Sequence, residues 1–232
     1  MISAAAVLVA AGRGRRMGGE PKQLRPLAGR PVVCWAARPL LAALAGPIVV
    51  VVPTETVDEA AALLEAAFPG EGPRIVIVGG GERRRDSVEA GLAAAGDAHP
   101  TILVHDAARP FASRDLVERV GVRAASGRAV LPAMPVADTL KEVDGERILA
   151  THDRTRYVTA QTPQGFPRAL LRDAIAQAGD DDATDCAVLC ERIGTPVQWV
   201  PGEPHNRKLT DAADWEWAER MIDGGWIRWD AA

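Results

Sequence analysis

Six short apolar runs punctuate the chain at an even spacing, and amphipathic stretches fill the gaps between them. Residues 4–9 form a run that predicts a buried first strand. Residues 47–52 carry IVVVV, too short and too β-branched for a helix, and predict a second strand. Residues 74–78, 101–104, 129–131 and 197–200 continue the series. Between them, residues 31–44 place Val32, Val33, Trp35, Ala36, Leu40 and Leu44 on a helix whose first turn can hold Pro31. Pro39 lies inside that stretch and should kink or end it. Residues 57–68, after Thr54 as a cap, and residues 113–125 and 167–177 are further predicted helices. Asp86 or Ser87 could cap a helix carrying Val88 and Leu92, and Thr184 one carrying Ala187, Leu189 and Cys190. A last helix begins near Asp211, with Trp215, Ala218, Met221 and Ile222 as its apolar stripe. Strand, turn and helix in this rhythm predict an α/β fold with a mostly parallel sheet.

Residues 135–157 break the rhythm. Asp144-Gly145 is a hairpin signal between flanks too polar for a core sheet, which predicts a projecting two-stranded arm. An isolated ribbon of this size is marginal in water, so the arm should pack on something, and a second subunit is the natural candidate. Trp226 and Trp229, near the end of the chain, are expected to be packing groups.

Composition narrows the function. A chain of 232 residues, 47% apolar and 25% charged, suits one α/β domain over residues 1–232 with the arm within it. The net charge of −4 gives no bulk attraction to nucleic acid or to an anionic membrane, so any anion site must be local. Cys34, Cys186 and Cys190 form no paired framework and are expected as reduced thiols in a cytoplasmic protein. The apolar beginning of the chain lacks a basic flank, so no leader peptide is expected, and no run approaches a membrane span.

The local anion site is the loop that follows the first strand, AAGRGRRMGGEPKQ, residues 10–23. Gly12, Gly14, Gly18 and Gly19 let the backbone curl around a ligand, while Arg13, Arg15, Arg16 and Lys22 imply a chain of phosphates. The position after a buried strand is where open α/β sheets bind ligands. It is not a Walker A loop, because Glu20 and Pro21 follow Gly19. Nor is it a dinucleotide fingerprint, because Met17 stands at the third glycine position. Arg16 and Lys22 bracket the loop, where fixed cations would stabilise charge growing at a phosphorus centre.

Three further constellations accompany it. In GGERRRDSV, residues 80–88, small residues allow approach to a flat ring, and a hydroxyl and backbone groups can read a pyrimidine edge. In HDAARP, residues 105–110, Asp106 stands at a strand end, suited to a metal or a hydroxylated substrate, while His105 points to the opposite face and is structural. Lys208 sits in NRKLTD just before the last helix.

Together the glycine loop closing in PKQ, the GGxxRxxSV pattern, HDAARP and the late lysine resemble the sugar nucleotidyltransferases. Within them they are similar to the 2-C-methyl-D-erythritol 4-phosphate cytidylyltransferase family over nearly the whole chain, from Ala4 to about Ile222. The resemblance implies a Rossmann-like, three-layer α/β/α fold and transfer of a cytidylyl group from CTP, with Mg²⁺ or another divalent cation. It implies catalytic roles for Arg16, Lys22 and Lys208. It places Ala10, Ala11, Gly12, Gly14, Gly80, Gly81, Glu82, Arg84 and Ser87 around CTP. It gives Asp106 to the metal and the acceptor, and Arg109, Thr139, Arg154 and Thr162 to the acceptor. It also points to Asp138 and to Thr184-Asp185, and to a homodimer whose exchanged arms carry Arg154 into the neighbouring site. Departures are a first loop one residue shorter than in some relatives, and Cys186 where the family often has an acidic residue.

Other readings remain at this level. A cytidylyltransferase for another polyol phosphate, above all ribitol 5-phosphate, would share nearly all these motifs. A non-catalytic nucleotide sensor would not need Arg16, Lys22 and Lys208 around a reacting centre. A nucleic-acid-binding module would need an aromatic-basic stripe that the chain lacks.

Overall fold

Alternate residues of the first strand, β1 (Ala5–Val9), enter different cores. Ala4, Ala6 and Leu8 pack on one side, Ala5 and Val7 on the other, as the two-residue period of a strand requires. A computed structural model describes residues 1–12, 23–179 and 183–230. Gly14, Arg16 and Lys22, with Arg13, Arg15, Met17, Gly18 and Gly19, lie outside the described residues.

A short ribbon, β2 (Pro26–Leu27) and β3 (Arg30–Pro31), leads into α1 (Val32–Ala43). Then come β4 (Ile48–Val52), α2 (Val57–Ala67), β5 (Ile75–Gly79), α3 (Arg84–Ala94), β6 (Thr101–Asp106), α4 (Arg114–Ala125) and β7 (Ala129–Pro135). The arm hairpin is β8 (Leu140–Asp144) with β9 (Arg147–His152). The chain continues through β10 (Val158–Ala160), β11 (Gln164–Pro167), α5 (Arg168–Gln177), α6 (Cys186–Arg192), β12 (Val197–Pro201) and α7 (Ala212–Asp223).

The main sheet runs β10-β7-β11-β6-β1-β4-β5, with β12 also beside β7. The pairs β6-β1, β1-β4, β4-β5 and β12-β7 are parallel, while β10 and β11 pair antiparallel with their neighbours. Helices α1, α2 and α4 cover the face that buries Leu8, Val50 and Leu103. Helices α3, α5 and α6 cover the face of Val7, Val51 and Val104. The fold is therefore a three-layer, mostly parallel α/β/α arrangement. The chain leaves β1 toward β4 and later returns to its other side as β6, so the switch of strand order falls beside the C-terminal end of β1.

Several local expectations need correction. Helix α1 does not end at Pro39 but runs through it to Ala43. Its buried stripe, including Val33, Ala36, Leu40 and Cys34, holds the helix against the sheet and outweighs one missing hydrogen bond. The helix caps also differ. Arg83, not Asp86 or Ser87, precedes α3, and its N–H donates to the Asp86 carboxylate. Thr56 rather than Thr54 precedes α2, and Asp185 rather than Thr184 caps α6, accepting from the Val188 N–H at 3.0 Å. Trp229 packs edge-on against Trp35, with ring centroids 5.1 Å apart, whereas Trp226 is 77% exposed and joins no buried cluster among the described residues.

The predicted hairpin is present. Asp144 pairs with Arg147 across the turn, where Gly145 takes φ +56°, a left-handed conformation that glycine adopts without steric cost. Val143, Ile148 and Leu149 on this ribbon are more than half exposed. No helix among the described residues is long and apolar enough to cross a membrane.

Candidate active site

The loops that follow β1, β5 and β6 converge at the C-terminal edge of the sheet. Backbone bonds extend the ladder into them: Ala10 N–H donates to Val51 O at 2.7 Å, Gly80 N–H to Val52 O at 2.8 Å and Ala107 N–H to Val9 O at 3.0 Å. The residue that closes the glycine loop, Gln23, is 4% exposed and reaches back, its Nε2 donating to Gly12 O at 3.2 Å. Gly80 is pressed between both walls of this corner. A Cβ there would lie 2.6 Å from the Ala11 Cβ and 2.7 Å from the Ser87 Oγ. Ala10, Ala11, Gly12, Gly80 and Ser87 are thus neighbours, with Gly81 and Glu82 exposed beside them.

Asp106 ends β6 on the face covered by α3, as its alternation with His105 requires. Its Oδ1 accepts from Arg84 Nη2 at 2.9 Å and its Oδ2 from Lys208 Nζ at 2.8 Å. Burial alone would raise the pKa of this carboxyl, but the two cations outweigh it and hold it well below the usual carboxylate range. Arg84, first on α3, also donates through Nη1 to the Cys186 Sγ at 3.4 Å. Burial pushes the Cys186 thiol up, so Arg84 faces one anion and one neutral sulfur.

On the opposite face, His105 is completely buried, and burial lowers its pKa to about 4. The imidazole is neutral, and its tautomer follows from its partners. Its Nε2 lies 3.0 Å from Arg109 O, a group that can only accept, so Nε2 carries the proton. Its Nδ1 then accepts from the Thr162 hydroxyl at 2.8 Å, and Thr162 Oγ1 accepts from Asp106 N–H at 3.1 Å. Arg109 donates to Asn206 O at 2.8 Å and Ala160 O at 3.2 Å, leaving a buried Nε with no partner among the described residues.

Arg84, Asp106, Arg109, Thr162 and Lys208 therefore form one connected cluster. Thr139 and Arg154 stand apart from it. Both are exposed, and Arg154 donates to Ala137 O rather than to any member of the cluster. Asp138, next to Thr139, is exposed as well. Two residues were missed by sequence reasoning. Gln164 accepts the N–H groups of Cys186 and Ala187, both at 3.1 Å, and donates to Asp185 at 2.8 Å, which seats α6 against Arg84. Asn206 bridges several of the motifs, two positions before Lys208. The recurrence of Gln and Asn inside QTPQ, residues 161–164, and NRK, residues 206–208, was the available signal, since buried amides are kept where backbone groups need partners.

For a divalent cation the chemistry is sparse. No group of three or more His, Cys, Asp or Glu side chains is placed to hold a metal among the described residues. Asp106 could supply one carboxylate, and phosphate oxygens of a nucleotide could supply the rest, the usual composition of magnesium sites on nucleotides.

The chain is similar to proteins of known family in both sequence and fold. Residues 4–223 match the family model of 2-C-methyl-D-erythritol 4-phosphate cytidylyltransferase. The enzyme of that name from Nocardia farcinica is 47% identical over 225 residues, covering 95% of this chain and 94% of its own. A bifunctional IspD/IspF enzyme from Solidesulfovibrio magneticus is 44% identical over 90% of this chain, which spans about half (54%) of its length. Among solved structures, the 2-C-methyl-D-erythritol 4-phosphate cytidylyltransferase of Thermus thermophilus superposes with a TM-score of 0.76 at 35% identity, covering 94% of this chain and 98% of that one.

Proposed function

The chain belongs to the 2-C-methyl-D-erythritol 4-phosphate cytidylyltransferase family, and we propose that it transfers the cytidylyl group of CTP to 2-C-methyl-D-erythritol 4-phosphate. A phosphate oxygen of the acceptor attacks the α-phosphorus. The new P–O bond gives the diphosphocytidyl product as the bond to the β-phosphate oxygen breaks, and pyrophosphate leaves with that electron pair. The acceptor is already a nucleophile, so the work of the protein is positioning and charge stabilisation.

The observation that carries this reading is the meeting of Arg84 and Lys208 on one buried carboxylate, beside a corner floored by Gly80. Lys208, whose side chain is 44% exposed, can turn from Asp106 toward an α-phosphate. Arg16 and Lys22 are assigned to the triphosphate and to the charge that grows on it. Ala10, Ala11, Gly12, Gly14, Gly80, Gly81, Glu82 and Ser87 are assigned to the nucleotide, with Arg84 bracing Asp106 beneath it. Arg109, Thr162 and Asp106 are assigned to the acceptor side. Asp106 would hold a magnesium ion together with phosphate oxygens, and the ion would supply neutralisation of triphosphate charge. We assign Arg154 and Thr139 to the acceptor phosphate of a neighbouring subunit, in a homodimer that exchanges the arm of residues 135–157. The exposed Val143, Ile148 and Leu149 support such a partner. One catalytic unit over residues 1–232 and a cytoplasmic location complete the proposal, the latter supported by three buried, unpaired thiols.

The test is pyrophosphate release from CTP and Mg²⁺ with a panel of polyol phosphates. The methylerythritol phosphate should give the highest kcat/KM, and a higher value for ribitol 5-phosphate would transfer the assignment to that acceptor.

A further inference from the structure

Asn206 lies in the loop between β12 and α7 and has no solvent exposure. Its Nδ2 donates to the Thr162 carbonyl at 2.7 Å and to Gln161 Oε1 at 3.3 Å. The orientation of the amide is forced. Thr162 offers a carbonyl, which only accepts. Gln161 must turn its oxygen inward, because that oxygen takes the Glu203 N–H at 3.1 Å while Gln161 Nε2 donates to Glu203 O at 2.9 Å. Asn206 Oδ1 has no partner among the described residues, so the side chain serves through its two donors. Its backbone carbonyl accepts from Arg109 Nη1 at 2.8 Å.

The same residue thus ties QTPQ, Arg109 and the loop of Lys208 together. Thr162 passes the connection on by accepting the Asp106 N–H. The far side of Lys208 is tied as well, where Leu209 N–H donates to Ala108 O at 2.7 Å, and on the near side Arg207 donates to Asp214 at 2.8 Å. A lysine has a long stem with many rotamers, so where its ammonium can reach depends on where its backbone is held. Here the backbone is clamped from both sides, and Nζ falls 2.8 Å from Asp106.

We propose that Asn206 is a positioning residue for the transfer step: its buried amide fixes the Lys208 backbone and the Arg109 guanidinium against the Gln161–Thr162 turn, so that the cation for the α-phosphate and the cation on the acceptor side are held in one register. This rests on the cytidylyl-transfer reading and deepens it. Asn206 touches no reacting group and acts through Lys208 and Arg109.

A double-mutant cycle on the full chain separates positioning from a general structural role. Asn206→Ala should lower kcat by about tenfold or more, since a misplacement of about 1 Å can cost up to about a hundredfold. The KM for CTP should change by less than about twofold if the loss is confined to the transition state. In a Lys208→Ala background the same change should lower kcat by clearly less than it does in wild type, the remainder passing through Arg109, because residues acting through one another are not additive. Asn206→Ser, which keeps a polar atom in the buried site, carries the same cycle if the alanine variant does not fold. A kcat near wild type, or two losses that multiply, overturns the positioning role. If wild-type protein turns over no CTP with the methylerythritol phosphate, the reaction assignment fails first, and the role of Asn206 fails with it.

Discussion

The ammonium of Lys208 lies 2.8 Å from Oδ2 of Asp106, across 102 positions of sequence. The contact joins the end of β6 to the approach of α7, and Arg84 of α3 completes it from the other oxygen. Asp106 is therefore the counter-ion of a guanidinium whose side chain is only 19% exposed. Asp106→Ala should destabilise the protein by roughly 3–5 kcal/mol, the usual cost of stranding one member of a buried pair. Asp106→Asn, which keeps the shape and loses the charge, should cost less and still abolish most activity. Urea unfolding of both variants checks this. An unchanged midpoint for Asp106→Ala would show that Arg84 needs no counter-ion.

Lys22 and Lys208 are assigned to the same transition state from opposite ends of the chain. Replacing either with Ala should lower kcat by roughly 10²–10³, the range for one lost transition-state contact. CTP binding should weaken far less. Steady-state kinetics over a CTP series decide it. A raised KM with normal kcat would leave each lysine a binding role alone.

Gly80 sets the width of the proposed base pocket. An added methyl would meet the Ala11 Cβ at 2.6 Å and the Ser87 Oγ at 2.7 Å, so Gly80→Ala must push Ala11 and helix α3 apart. Overpacking of this kind typically costs about 1–3 kcal/mol. Taken from nucleotide binding, that is about fivefold to a hundredfold in the KM for CTP. Wild-type enzyme should prefer CTP to UTP, ATP and GTP, and the variant should lose part of its preference over UTP. Equal wild-type efficiency with CTP and UTP would remove the base-reading role from this loop.

The layers of the fold were legible because strands such as IVVVV declare themselves by local composition. The site was legible as motifs, since glycine and arginine clusters are short-range patterns. What the sequence did not disclose depends on contacts between distant residues. Pro39 stays helical because the sheet holds α1 in place, which no local rule contains. Thr162, assigned to an acceptor, spends its hydroxyl proton on His105, 57 positions away. Asn206 looked like an ordinary loop amide until Gln161 and Thr162 came beside it.

The buried thiols predict an alkaline weakness. Burial raises the pKa of Cys34 from 9.0 to about 11 and that of Cys190 from 9.0 to about 12. Between these limits the unfolded chain sheds the thiol protons while the native protein keeps them. The stability tied to the protonated thiols is thus complete below about pH 9 and is lost as pH rises toward the native values. Unfolding free energy should fall in that window by up to about 1.4 kcal/mol per pH unit for each thiol. A Cys34→Ala, Cys190→Ala double variant should show a shallower slope, whatever constant offset its smaller side chains bring. Parallel slopes for variant and wild type would count against this role of the thiols.

Arg154 is the residue whose placement most needs a second chain. It is exposed, donates to Ala137 O next to the hairpin, and makes no bond to Asp106, Arg84 or Lys208. The hairpin itself exposes Val143, Ile148 and Leu149, which a lone ribbon in water does not favour. An acceptor that is itself a phosphate needs its own cation, or two polyanions must be pushed together unaided. If the arm crosses to a partner, Arg154→Ala should raise the KM for the acceptor and spare that for CTP. Mixing two crippled parents, Arg154→Ala and Lys22→Ala, gives a sharper test. After subunit exchange, each heterodimer holds one site with both defects and one with neither. Activity should therefore return, to at most about half of wild type per heterodimer if transition-state contacts act within single sites. Parents that demonstrably exchange without regaining activity would confine Arg154 to its own subunit. A fully active monomer would make the arm a cover for its own site.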